Sequence, residues 1–120
     1  MDQVELIHDT PVLVYASEGS ALDARTVNDF LSAAWSTDAA WLVIPLERLD
    51  DGFLDLSTRI AGEVIQKFIN YRVGVAFVGD IAPWTEASKS LRDFVYESNQ
   101  GPAVWFVRDL AELSGRLART

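Results

Sequence analysis

The segment FLDLSTRIAGEVIQKFINYRVGVAFVGD, Phe53 to Asp80, decides the fold class. It reads as a polar loop, an amphipathic helix and a buried strand. Ile60, Ala61, Val64, Ile65, Phe68 and Ile69 recur at helical spacing, and Glu63 and Lys67 stand four residues apart on the opposite side. The helix is expected to begin near Ser57 or Thr58, either of which is a good capping residue. Val75 to Val78 is apolar without alternation, as in a strand covered on both faces, and it stops at Gly79-Asp80.

The same grammar extends in both directions. Toward the N-terminus, Trp41 to Leu46 is another unalternated strand, with Pro45 marking its end. Before it, Ser20 and Asp23 suggest a capped helix with the stripe Ala24, Val27, Phe30, Leu31 and Ala34. Val4–Ile7 and Val12–Tyr15 are short β-prone runs separated by the turn signal Asp9-Thr10-Pro11. Toward the C-terminus, Pro83 opens one helix that turns Leu91, Phe94 and Val95 inward and stops at Asn99 to Pro102. Val104 to Val107 is the last strand, and Leu110 to Leu117 a closing helix with Arg116 and Arg119 suited to its end. The expected order is β-β-α-β-α-β-α-β-α. This is a single α/β domain over residues 1–120, with about five strands in a mixed, mostly parallel sheet and about four helices.

Composition bounds the function. The 120 residues contain no cysteine, which excludes disulfides and thiolate chemistry. The start MDQVELIHD lacks a signal-peptide core and no apolar run approaches a membrane span, so a cytoplasmic protein is expected. The net charge of −8 is unevenly spread: residues 1–55 hold eleven acidic and two basic side chains, residues 56–120 seven and eight. A phosphate backbone would be repelled by the first half, so nucleic acid is not an expected partner. An acidic surface serves solubility, or it meets a basic partner.

The element order is similar to that of STAS domains, the fold of anti-sigma factor antagonists. Those carry Asp-Ser-Ser-Gly before an amphipathic helix, with a regulatory phosphoserine. Asp55-Leu56-Ser57 falls at that place, with Ser57-Thr58 where the family has Ser-Gly. A closer resemblance is to the bacterial family called domain of unknown function 4180. It rests on Ala61-Gly62-Glu63, Gln66-Lys67-Phe68, Asn70-Tyr71-Arg72-Val73, Val78-Gly79-Asp80, Ser88, Leu91-Arg92-Asp93-Phe94 and Tyr96-Glu97-Ser98-Asn99. It spans nearly the whole chain and supplies a fold rather than an activity. Relatives often carry a basic residue where this chain has Gly74, and another at the position of Ser57.

These comparisons order the candidate sites. Ser57 and Thr58 are helix caps or phosphoacceptors, the latter with Arg59 nearby. Glu47, Asp80 and Ser17-Glu18 lie at strand carboxyl ends, where open α/β sheets bind ligands, and Asp55, Ser57 and Thr58 would join them in a rim. Asp80 reads equally as the cap of the following helix. Trp84 folds over that rim or meets a partner. Trp35, Trp41 and Trp105 are expected in the core or at its edge. Gln66, Lys67, Asn70, Tyr71, Arg72, Ser88, Arg92, Asp93, Glu97 and Asn99 are the polar residues of the family segments. Among them, Asn70 and Arg72 suit a helix end, or Arg72 joins Arg92, Asp93 and Glu97 in a polar network.

No metal-ligand set, no nucleotide-binding glycine pattern and no nucleophile elbow beside the single His8 is present. The reading is therefore a non-enzymatic regulatory or protein-interaction module, with a protein partner, no cofactor and a homodimer as one possibility. The alternative is a small-molecule binder or enzyme using Asp55, Thr58 and Asp80.

Overall fold

Side-chain alternation along five strands builds one sheet with two different faces. The computed structural model describes residues 2–119. Strands β1 (Gln3–Ile7) and β2 (Thr10–Val14) form an antiparallel hairpin. Strands β3 (Trp41–Pro45), β4 (Gly74–Val78) and β5 (Val104–Val107) continue in parallel, and the spatial order equals the chain order. The crossovers carry α1 (Val27–Ser36), α2 (Ile60–Asn70), and the pair α3 (Ala82–Ala87) and α4 (Lys89–Gln100), with α5 (Leu110–Leu117) after β5.

Right-handed crossovers that all step the same way deliver their helices to one side. Phe30, Leu31, Val64, Phe68 and Leu91 from α1, α2 and α4 accordingly share a core with Leu13, Leu42, Ile44, Val75, Phe77 and Phe106 of the strands. The alternate strand residues Val12, Trp41, Val43, Ala76, Trp105 and Val107 face the other way, where Leu113 and Leu117 of α5 cover them. Trp41 and Trp105 stack there at 4.4 Å between ring centroids. Gly74 makes the stack possible: a Cβ at that position would lie 2.5 Å from the Trp41 ring. Among the described residues, no helix is long and apolar enough to cross a membrane.

The expected fold class and strand set are present, with five α-helices among the described residues rather than about four. The single helix expected after Pro83 is two. Ser88 adopts an extended conformation between them, and its side chain accepts the Leu91 N–H as the cap of α4. Helix α3 has no buried residue, so no apolar stripe exists to carry one helix through the break.

Helix α1 begins at Val27 rather than near Ser20. Leu22 is extended and bridges to Leu49, its N–H donating to Arg48 O at 2.6 Å, and the residues expected to form the first turn are used in that contact. Asp23 instead receives the N–H groups of Arg25 and Thr26, and Ala24 is exposed outside the helix. The hairpin turn falls at His8 and Asp9, both at positive φ as a two-residue type I′ turn requires, so Thr10 and Pro11 belong to β2. Trp35 is not core: it is 52% exposed on α1 and meets the exposed Tyr71 edge-to-face. Ile69, placed on the buried stripe by spacing, is 48% exposed and lines an open groove beside α4.

Candidate functional site

The chain entering α2 is a tight turn with its polar groups facing water. Leu56–Thr58 forms a 3-10 turn, Arg59 takes a left-handed conformation at φ 65°, and α2 starts only at Ile60. The Asp55 side chain sets this geometry. It accepts the Ser57 N–H at 3.0 Å and the Ser57 hydroxyl at 2.6 Å. These bonds hold its carboxyl below the usual carboxylate range, the hydroxyl contributing most. Thr58 Oγ1 reaches Gly52 O and Asp55 O, each at 2.8 Å, and receives the Ile60 N–H at 3.3 Å. Ser57 is therefore bound to Asp55 rather than capping α2, and Thr58 ties the preceding loop to the first residue of the helix. Both residues and Arg59 are exposed.

Beyond this turn lie two open grooves that share α2 as a wall. One, of about 800 Å³, is lined by Leu56, Arg59, Glu63, Lys67, Asn70 and Phe94 among others. The second, of about 480 Å³, is lined by Ile69, Glu97, Ser98 and Pro102. Gly62, Gln66 and Phe94 line both. A Cβ on Gly62 would meet nothing within 4 Å, so this face of α2 is clear of neighbouring elements. Gln66 donates to Asn70 at 2.8 Å across one helical turn. Glu63 and Lys67, expected as an ion pair, both line the larger groove without appearing among the ion pairs of the described residues.

The strand-end rim is a separate place. Glu47, Asp51, Asp80 and the 44% exposed Trp84 surround a cavity of about 470 Å³. Asp55 and Thr58 do not line it, so the residues expected along one rim divide between the strand ends and the head of α2. Asp80 also receives the Ala82 N–H at 3.0 Å, which secures the start of α3. Ser17 and Glu18 are exposed in the loop after β2. No group of three His, Asp or Glu is placed to hold a metal among the described residues.

The remaining segment residues hold structure in distinct ways. The left-handed residue at the end of α2 is Arg72, at φ 58°, not Asn70, which is still helical. Among the described residues, Arg72, Arg92, Asp93 and Glu97 form no network: Asp93 pairs with Lys89 at 3.0 Å, and Glu97 lines the smaller groove. Asn99 receives the Phe106 N–H at 2.7 Å and donates to Phe106 O at 3.3 Å, so its amide occupies the outer edge of β5. His8 Nε2 lies 3.1 Å from Ser114 Oγ, joining the hairpin turn to α5. The contact is exposed, and no carboxylate bonds to the ring among the described hydrogen bonds.

Sequence reasoning missed Arg48. It is 6% exposed, and its guanidinium donates to Ser20 O, Ala16 O and Glu18 O at 2.9 to 3.1 Å. It also lies 5.2 Å from the Tyr15 ring centroid and 5.5 Å from that of Phe30. Gly19, at φ +138°, passes so close that a Cβ would sit 2.7 Å from the guanidinium carbon. The buried Tyr15 hydroxyl beside it has no hydrogen-bond partner among the described residues, and burial pushes its pKa up to about 12. The available signal was that Arg48 is one of two basic residues in the first 55.

An α/β domain with a polar turn feeding one exposed, groove-flanked helix is the class defined by this geometry. The chain belongs to the family described as "Domain of unknown function (DUF4180)", which it matches over residues 7–117. No curated protein and no solved structure matches it.

Proposed function

We propose that the chain is a non-enzymatic regulatory module of the bacterial cytoplasm, built on a STAS-like plan, that docks a protein partner along α2. The observation that carries this reading is the adjacency of two exposed hydroxyls, Ser57 and Thr58, to the open groove along α2. Grooves of this shape suit a partner helix with apolar anchors, here meeting Leu56 and Phe94, and polar flanks, here meeting Arg59, Gln66 and Lys67.

Phosphorylation is the proposed switch. A phosphate on Ser57 removes the hydroxyl hydrogen that binds Asp55 and sets about two negative charges beside that carboxylate. A phosphate on Thr58 removes the bonds to Gly52 O and Asp55 O. The added charge at the head of α2, rather than the loss of these hydroxyl bonds, is the switch.

The test is affinity capture of partners from the native lysate by three forms: wild type, the Ser57→Ala/Thr58→Ala variant and the Ser57→Glu/Thr58→Glu variant. A stoichiometric partner should be kept by the first two and weakened at least about tenfold by the third, about 1.4 kcal/mol. Lys67→Glu, on the groove wall, should weaken the same partner. A partner indifferent to both charge changes would sink this reading.

A further inference from the structure

The two edges of the sheet are finished differently. On β5, the Asn99 amide occupies both the N–H and the C=O of Phe106. On β1, no described strand pairs with the outer side. The direction of its free groups follows from β2. Pro11 O accepts the Ala40 N–H, and Tyr15 N–H donates to Val43 O, so the backbones of residues 11, 13 and 15 point toward β3. Leu6 is opposite Pro11 and Val4 opposite Leu13. Antiparallel alternation therefore turns the N–H and C=O groups of Val4 and Leu6 outward.

The side chains of this edge carry a pattern. Val4 and Leu6 lie on the same sheet face as Leu13, yet remain 44% and 71% exposed. Glu5, opposite Val12, lies on the other face. Asp2 and Asp9 flank the strand, and residues 1–24 contain no Lys or Arg. A second copy would bring like charges together at this edge. A basic strand would be attracted to it.

We infer that β1 is a strand-addition site for an extended partner segment in which apolar and basic residues alternate. The apolar residues would face Val4 and Leu6 and exchange backbone hydrogen bonds with them, while the basic residues would lie beside Glu5. This surface is distinct from the α2 grooves, and its failure would leave the docking reading untouched.

The probe is a nine-residue peptide of alternating Lys and Val, added at millimolar concentration to the 15N-labelled full chain and followed by amide hydrogen exchange. Val4 and Leu6 amides should exchange at least about tenfold more slowly with peptide. A peptide N-methylated at each Val should give no protection. Leu6→Pro should lose binding, because it deletes an outward N–H that the hairpin does not use. Glu5→Lys should weaken binding while leaving the hairpin backbone groups in place. Unchanged exchange at Val4 and Leu6, or equal binding of the N-methylated peptide, would overturn the proposal. Protection that grows with protein concentration without peptide would also overturn it, assigning the edge to a second copy.

Discussion

Arg48 is held by geometry that only a guanidinium satisfies. Three carbonyls from one loop converge on its fork, and two aromatic rings lie within cation–π distance. The loop after β2 is thereby tied to the turn after β3. Removing the side chain leaves three part-buried carbonyls without this donor and opens a cavity where the buried guanidinium stood, so Arg48→Ala should cost about 3 kcal/mol in chemical denaturation. Arg48→Lys should recover less than half of that, because one ammonium cannot reproduce the planar fork. Full stability in Arg48→Lys would show that charge alone suffices. Nothing in periodicity or propensity marks such a residue, because its hydrogen-bond acceptors are backbone carbonyls, and its ion-pair partner Asp2, at 3.9 Å, is distant in sequence.

At the scale of elements, the turn Asp55–Thr58 makes a titratable prediction. The Asp55 carboxylate is favoured in the fold by the Ser57 hydroxyl and N–H, so its folded pKa lies below its ordinary value of 3.8. A depressed carboxylate contributes stability that is present above the ordinary value and lost as pH falls through the folded one. Ser57→Ala removes the larger cause. By NMR titration the Asp55 carboxyl should move up toward 3.8 in that variant, while Asp23, held low by its own backbone partners, stays where it is. An unchanged Asp55 would mean that the Ser57 hydroxyl is not its partner in solution.

This turn also marks where sequence legibility ended. The stripe of α2 as far as Phe68, strand β5 and helix α5 follow periodicity and stop signals, and so could be read directly. The start of α2 could not, because Ser57 competes as an Asx-turn partner and a non-glycine residue, Arg59, takes the left-handed position. The delayed start of α1 has the same kind of cause, a long-range bridge from Leu22 to Leu49 overriding a local capping signal. The grooves were invisible for a related reason. Gln66, Lys67, Asn70 and Glu97 were named by resemblance, but their place along the grooves depends on how α1 and α4 pack against α2.

For the whole molecule, the two faces of the sheet are unequally covered. Several helices share one face, whereas α5 is the described helix that packs on the other. Leu113, fully buried there, has the neighbours of a core residue despite lying in an eight-residue helix. Leu113→Ala should cost about 3 kcal/mol in denaturation. The same variant should change near-ultraviolet circular dichroism from the Trp41–Trp105 stack, which lies under α5. A loss below about 1 kcal/mol would mean that α5 contributes little to the sheet.

The agreement between spatial order and chain order bears on synthesis. Each strand leaving the ribosome finds its neighbour already made, and none must be threaded between two strands that have paired. Addition proceeds along a single advancing border. Asn99 emerges just before the last strand, in time to cover that border as soon as Phe106 arrives.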